Sequence, residues 1–359
     1  MIEYIELRYI RSYEHCYLQL KPDLNLFYGP NGVGKTTLLE AVGVMATTKS
    51  FRTSSLTEMV QHGHPAGKIR VGLKDQKELS LEIQPRVRKF FINEKNTSKH
   101  SDFFGQFSII VLAPEHFQIV QGSRKERLSY IDFILAQLDP FYFDILKDHQ
   151  KVLQQKKALW NLNLSKNTFL DQSWVWQEKH ENLSNQIREK RQTLLQKIAP
   201  LFIHTYQEIS QKKIETKMTY QIKTEEKDRI KLLTSEFYSQ RILSGAHMDE
   251  VEISLDESRA RSHASHGEKA TLLLALKFAE LDLLFEAKQG KVVFLLDDVG
   301  TTLDQVRRKQ LFSKVSQTKC QSLVSTCDLY VEKEIEATCH STHVFTDSKS
   351  SIHWNSTPL

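Results

Sequence analysis

The segment LNLFYGPNGVGKTTLLE, residues 24–40, constrains the fold more than any other stretch of this 359-residue chain. An apolar run (Leu24, Leu26, Phe27) breaks at Gly29, passes through Pro30, Asn31, Gly32, Val33 and Gly34, and re-enters an amphipathic pattern at Lys35, Thr36 and Thr37. The spacing G-x-x-x-x-G-K-[ST] is that of a phosphate-binding loop between a strand and a helix. The glycines let several backbone N–H groups converge on one anion. The following helix adds the positive end of its dipole. Lys35 is placed to reach the β- and γ-phosphates and Thr36 to ligate Mg²⁺. Residues 29–37 are therefore nucleotide-binding candidates, and a buried strand before them and a helix after them are expected.

The rest of the chain limits what can surround this loop. Hydrophobic residues at 40% suffice for a sizeable core, and charged residues at 26% suggest a soluble protein. No apolar stretch reaches the length of a membrane span, and the start, MIEYIELRYIRSYE, lacks the layout of a secretory signal. A cytoplasmic location is the expectation. The cysteines (Cys16, Cys320, Cys327, Cys339) form no CxxC pair. Cys339, His340 and His343 match no common zinc spacing, so free thiols and packing roles are expected. The formal net charge is +5, and residues 141–245 alone carry +6, a pointer towards a polyanion.

Residues 1–28 read as strands (YIELRYI, CYLQL, LNLFY), and 67–120 alternate in the strand manner, with a turn signal at Asn93. From about Glu126 to Gln240 apolar residues recur every three or four positions among Gln, Lys and Glu, with Pro140 and Pro200 as punctuation. From about Val251 strands return, with one strongly apolar helix. The pattern predicts an α/β P-loop head of mixed sheets and helices (1–125 and 246–359) with an inserted α-helical lobe (126–245). No sustained heptad seam is evident, which favours a packed lobe over a coiled-coil arm.

Two downstream segments complete the chemistry. KVVFLLDDVGTTLD, residues 291–304, is a buried strand ending in an acidic pair. Such an end, downstream of a phosphate loop, reads as a Walker B element. Asp297 would serve Mg²⁺ and Asp298 would polarise the attacking water, which makes Asp298 and Lys35 the catalytic candidates. Ser265-His266-Gly267-Glu268 precedes a long apolar helix. A hydroxyl, a bare N–H and a helix dipole suit a second phosphate. One chain already holds one loop, so a second phosphate-facing helix start makes sense if it serves the nucleotide of another subunit.

The order of phosphate loop, helical insertion, signature, Walker B and a D-loop-like segment resembles the ABC-type ATPase heads. Among them the chain resembles the RecF family. The likeness is carried by LRYIRSYE, YGPNGVGKTTLLEA, KSFRTSSLTEMV, VLAPEHFQIVQGSRKERLSYID, LDPFYFDILKDHQKVLQQKKALW, GAHMDEVEI, SHGEKATLLLALKFAE and FLLDDVGTTLD. The resemblance implies an ATP-dependent DNA-binding protein of recombinational repair, a weak ATPase that uses hydrolysis as a switch. It further implies a homodimer that sandwiches two ATP molecules with Mg²⁺ and clamps duplex DNA beside single-strand gaps. RecR, and indirectly RecO and RecA, are the implied partners. The carry-over places Lys35 and Thr36 on phosphate and metal, and Asp297 on metal. It places Ser265 and Gly267 on the partner's γ-phosphate, Asp304 as the D-loop acid, and Gln118 in a loop sensing γ-phosphate and metal.

The chain departs from the family pattern in places. Ala246 and Met248 stand where the family usually has proline and arginine, and Ala270 where an arginine commonly follows the signature. Thr301 and Thr302 replace the usual Ser-Glu; STCDL, residues 325–329, offers no histidine where many ABC ATPases have one, as is general for RecF-like sequences. Two basic residues near the signature are thus missing, which weakens the expectation of ATP-driven dimerisation.

Candidates for DNA phosphates are Arg86, Arg88 and Lys89; Arg124, Lys125 and Arg127; Lys151, Lys156 and Lys157; and Lys212 and Lys213. Two other classes use a phosphate loop. A small-molecule kinase or GTPase leaves Ser265–Glu268 and the helical insert without a role, and no N-K-x-D base-reading element is present. An ABC-type energy subunit explains the signature, but the L-S-G-G-Q form is absent.

Overall fold

The computed structural model describes residues 1–97, 100–211, 214–223, 228–298, 303–318, 320–327, 335, 342–347 and 354–358. Its strands are β1 (Ile2–Ile10), β2 (Tyr13–Gln19), β3 (Leu24–Tyr28), β4 (Gly67–Leu73), β5 (Glu78–Ile83), β6 (Arg88–Ile92), β7 (Lys95–Thr97), β8 (Ser108–Leu112), β9 (Thr216–Gln221), β10 (Glu250–Leu255), β11 (Ser258–Arg259), β12 (Val292–Leu296), β13 (Gln321–Thr326), β14 (Thr342–Asp347) and β15 (Trp354–Pro358). Its helices are α1 (Lys35–Thr47), α2 (His100–Phe103), α3 (Phe117–Gln121), α4 (Arg124–Leu138), α5 (Pro140–Trp160), α6 (Lys166–Ser210), α7 (Arg229–Ser239), α8 (Ala260–His263), α9 (His266–Ala287) and α10 (Gln305–Thr318). The chain divides into two compact units, one of residues 1–117, 208–211 and 266–359, the other of 118–207 and 212–265.

The first unit is built on two sheets. One is antiparallel, in the order β2-β1-β4-β5-β6-β7. The other, β15-β14-β3-β13-β12-β8, is parallel from β14 to β8. Its inner strands have both faces covered, so they read as near-continuous apolar runs: Val292–Leu296 is buried throughout. Helix α1 packs on β4 and β5 of one sheet and on β8, β12 and β13 of the other. That position explains why Leu38 to Thr47 are all buried. Helix α9 packs on β8, β12 and α10. The antiparallel hairpins follow their turn residues: Asn93 and Glu94, at φ 47° and 64°, turn β6 into β7.

The strand order decides what meets at the loop end of the parallel sheet. Strand β13 lies between β3 and β12, so the carboxyl ends of all three strands converge although they are distant in sequence. Binding sites of open α/β sheets form at that edge.

The second unit is mainly helical, but the expectation of an unbroken helical block needs correction. Thr216–Gln221 is strand β9, with Thr216 and Met218 buried and Lys217 and Thr219 exposed. It pairs antiparallel with β10, which pairs with β11. The helical spacing around it hid a six-residue period-two segment. The pairing also draws residues 246–265 into the second unit rather than the first. Pro140 occupies the first turn of α5, where its missing N–H costs nothing, while Pro200 lies inside the 45-residue α6. Among the described residues no helix is long and apolar enough to cross a membrane. Cys16, Cys320 and Cys327 are free thiols. Cys339, His340, Thr301, Thr302, Lys212, Lys213 and Asp328 lie outside the described residues, as does the side chain of His343.

Candidate functional site

Strand β3 runs into the phosphate loop, and α1 begins at Lys35. Gly34 caps the helix at φ 100°. A Cβ there would lie 2.5 Å from the Tyr13 hydroxyl, so glycine is required by dihedral and by space. Tyr13 Oη donates to the carbonyl of Val33 at 3.4 Å, tying the loop to β2. Behind the loop, Glu40 is fully buried and is held by Arg11 at 2.9 Å, with Arg52 at 3.7 Å and a hydrogen bond from Ser50. Arg52 and Ser50 come from KSFRTSS, so that segment acts as a brace for α1.

Lys35 is buried, and its Nζ donates to the carbonyls of Gly29 at 2.7 Å and Pro30 at 2.9 Å. Burial lowers its pKa, opposed by the neighbouring side chains of Cys327, Asp298 and Asp297. Thr36 Oγ1 donates to Oδ1 of Asp297 at 2.8 Å. Asp297 is 4% exposed, and its N–H donates to the Leu112 carbonyl at 2.8 Å, which anchors it at the end of β12. Burial raises its pKa, partly offset by the hydroxyls of Ser325 and Thr36.

Ser325, at the end of β13, donates to the same Asp297 oxygen at 2.6 Å and accepts from the Asp298 N–H at 3.0 Å. Asp298 sits at φ 50°, a left-handed conformation that aspartate tolerates better than most residues and that often marks a working site. Hard oxygen donors at Thr36 and Asp297, a lysine inside a glycine-rich loop and a second carboxylate beside them fit Mg²⁺ and a phosphate chain. Of the loop's other candidates, Pro30, Asn31 and Gly32 are exposed and Thr37 is buried.

A second cluster forms at the start of α9. Arg307, on α10, lies over Gly267: a Cβ on that glycine would come within 3.4 Å of the Arg307 guanidinium. Its Nε donates to Thr271 Oγ1 at 2.8 Å, and Thr271 Oγ1 donates to the Gly267 carbonyl at 3.0 Å. Asp304 accepts from the backbone N–H of Arg307 at 3.0 Å and from its guanidinium. Gly267 and Asp304 are thus brought together by an arginine that sequence reasoning did not single out. Ala270 is buried. His266 stacks on Phe117, ring centroids 5.3 Å apart. Ser265 and Gln118 are both exposed and belong to the second unit.

The basic candidates separate by exposure. Arg86, Arg88 and Lys89 are exposed around the β5–β6 turn, while the neighbouring Phe90 is buried against Phe103 and is a core residue. Lys125 and Lys157 are exposed. Lys151 is exposed and pairs with Asp148. Arg124 donates to the Met248 carbonyl at 3.0 Å. Lys156 is buried, pairing with Glu236 at 2.9 Å and donating to Gln177, so it drops out of the DNA-facing set. Arg127 drops out similarly, buried on Glu250 at 2.8 Å.

The family model described as RecF/RecN/SMC N terminal domain matches residues 1–349. Curated relatives described as DNA replication and repair protein RecF include one from Synechococcus sp. (strain JA-3-3Ab), 31% identical over 350 residues that span 91% of each chain. A second, from Ligilactobacillus salivarius (strain UCC118), is 30% identical over 343 residues and 90% of each chain. Among solved structures, the recombination mediator protein RecF-ATPrS in the RecFOR pathway superposes with a TM-score of 0.85 at 22% identity, over 99% of this chain and 98% of that one. An SMC head bound to the C-winged helix domain of ScpA superposes at 0.58 and 15% identity, over 100% and 97%. These likenesses bear out the expected fold, an ABC-type ATPase head of mixed sheets and helices with an inserted helical lobe. The chain belongs to the RecF family of DNA replication and repair proteins.

Proposed function

We propose that this protein binds Mg-ATP at the phosphate loop, self-associates on binding it, and in that state holds duplex DNA beside single-strand gaps, acting in the cytoplasm with RecR and, through it, RecO and RecA. The observation that carries the reading is the convergence of Thr36, Asp297, Ser325 and Asp298 at the ends of three strands. A relative that superposes over the whole chain is a RecF-ATP structure in the RecFOR pathway, which supports ATP as the nucleotide.

Each residue has a definable task. The N–H groups of Gly32 to Thr36 and the α1 dipole cradle the phosphates. Lys35 exchanges the carbonyls of Gly29 and Pro30 for phosphate oxygens. Thr36 and Asp297 hold Mg²⁺, which neutralises charge between the phosphates. Asp298 orients a water for slow hydrolysis, and Ser325 keeps the two aspartates in register. Gly267, Arg307 and Asp304, with Ser265, address the nucleotide of a second copy. Each copy then holds half of two sites, so nucleotide sets the assembly state and hydrolysis releases it.

The test is sedimentation of the purified protein with Mg²⁺, with and without ATP, followed by salt-dependent retention of duplex DNA. An ATP-dependent dimer that is lost in Ser265→Arg, with DNA retention that needs ATP and falls with salt, is the expected outcome. A chain that binds ATP yet stays monomeric and ignores DNA would overturn the reading.

A further inference from the structure

The second unit contains a feature that the ATPase does not use. His149 on α5, His180 on α6 and His247 in the turn at Ala246–Met248 bring three imidazoles together, their candidate ligand atoms all within 4.8 Å of one another. His149 is 6% exposed and His180 fully buried. Among the described residues, neither ring nitrogen of His180 has a hydrogen-bond partner, and Nδ1 of His247 has none. A buried polar atom without a partner is unfavourable, and here one nitrogen from each of the three rings lies within 4.8 Å of the other two.

We propose that His149, His180 and His247 form a binding site for one divalent transition-metal ion, with Zn²⁺ the best match, which clamps the turn at residues 245–248 to helices α5 and α6. The ring geometry supports this. The centroids stand 5.1, 5.8 and 5.9 Å apart. Imidazoles bound tetrahedrally at a Zn–N distance of about 2.0–2.1 Å have centroids separated by roughly 5 Å. Small ring rotations therefore bring the ligand atoms to coordination distance, and a water completes the shell. The turn is shaped for close approach. Gly245 has φ 113°, and a Cβ there would lie 2.3 Å from His180 Nε2, so only glycine lets the backbone pass the ring. His149 Nε2 lies 3.2 Å from Ser184 Oγ, a contact of the kind that fixes a ligand ring's orientation.

Three of the nearby bases are paired with acids, while Arg124 and Lys157 also lie near His247. Lys156 pairs with Glu236, Arg188 with Asp249 at 2.8 Å, and Arg191 with Asp132 at 2.8 Å. Imidazole sets of this kind select zinc, copper or nickel over the magnesium that serves the phosphate loop.

The experiment uses the full-length protein, stripped with chelator and titrated with Zn²⁺ while bound metal is counted. One ion per chain is expected, with a rise in the thermal midpoint, and Co²⁺ in its place should give the visible bands of nitrogen ligation at low coordination number. His180→Phe and His149→Gln should each weaken the affinity at least about tenfold, whereas His64→Asn, on an exposed turn, should not. Testing two variants guards against one that fails to fold, and the Co²⁺ spectrum of the unaltered protein needs no variant. No stoichiometric ion, a Co²⁺ spectrum of oxygen ligation, or an ion retained by both folded variants would overturn the proposal.

Discussion

Ser325 Oγ donates to Asp297 Oδ1 at 2.6 Å while accepting the backbone N–H of Asp298 at 3.0 Å. One hydroxyl therefore sets the spacing of both acidic residues at the end of β12, from a strand that is their neighbour only in space. Ser325→Ala removes the donor from a buried carboxylate and the acceptor from a left-handed peptide. A loss of about 1–3 kcal/mol in urea unfolding is expected, together with weaker Mg²⁺-dependent nucleotide binding. Wild-type values on both measurements would show that Thr36 and the backbone bond to Leu112 position Asp297 without Ser325.

The phosphate loop and the acidic strand end were legible in the sequence because each is local: the glycines, Lys35, Thr36 and the Asp297–Asp298 pair sit at fixed offsets within an element. Ser325 and Arg307 were not legible, since STCDL and QVRRK carry no pattern, and both join the candidate site only once β13 is placed between β3 and β12 and α10 beside α9. The three histidines are scattered over α5, α6 and a turn, so no spacing rule could join them. Strand β9 was hidden by the helical text on either side. Lys156 and Arg127, the buried members of the DNA-candidate set, look in sequence like any surface base, because burial of a charge is decided by the partner, here Glu236 and Glu250.

Gly34 is held at φ 100° with the Tyr13 hydroxyl where a Cβ would go. Gly34→Ala should therefore destabilise the fold by about 1–3 kcal/mol and abolish nucleotide binding. Adding Tyr13→Phe relieves only the contact with the hydroxyl oxygen, not the dihedral, so the double variant should remain unable to bind. Restored binding in the double variant would show that space, rather than backbone conformation, is limiting.

Arg307 lies over Gly267 and is pinned by Asp304 and Thr271. It supplies a guanidinium beside Gly267 in a chain that has Ala270 where RecF-like sequences commonly have arginine. Arg307→Ala should leave binding of one ATP by the monomer unchanged and weaken ATP-dependent self-association at least about tenfold, near 1.4 kcal/mol. Equal loss in both assays would make the residue structural. No loss in either would remove it from the shared site.

In the antiparallel sheet, Arg70 bridges Glu6 at 2.9 Å and Glu78 at 2.7 Å. Burial raises the pKa of both carboxyls, but hydrogen bonds and nearby charge outweigh it (Arg8, His15 and Arg70 at Glu6; Arg70, Tyr4 and Lys68 at Glu78), and both end below the usual 4.5. Groups depressed in the folded state stabilise it above the unfolded value and cease to do so as pH falls through the folded one. Arg70→Met should therefore cost most at neutral pH, with the difference from wild type in urea midpoint shrinking below about pH 4. A difference independent of pH would assign the role of Arg70 to packing.

The β5–β6 hairpin presents Arg86, Arg88 and Lys89 to solvent, with Phe90 buried behind them. If these bases contact DNA phosphates, each contact releases condensed counterion, and the logarithm of the binding constant falls with that of salt concentration by about 0.9 per phosphate. Arg86→Gln/Arg88→Gln/Lys89→Gln should lower duplex affinity evenly across sequences and reduce the salt slope by up to about 2.7. The exposed positions carry little folding energy, so unfolding midpoints should stay near wild type. Lys156→Met should do the reverse: it strips Glu236 of its buried partner and costs about 3–5 kcal/mol of stability, yet leaves the salt slope of the folded fraction unchanged. An unaltered slope in the hairpin variant would move the DNA contact to Lys125 and Lys157.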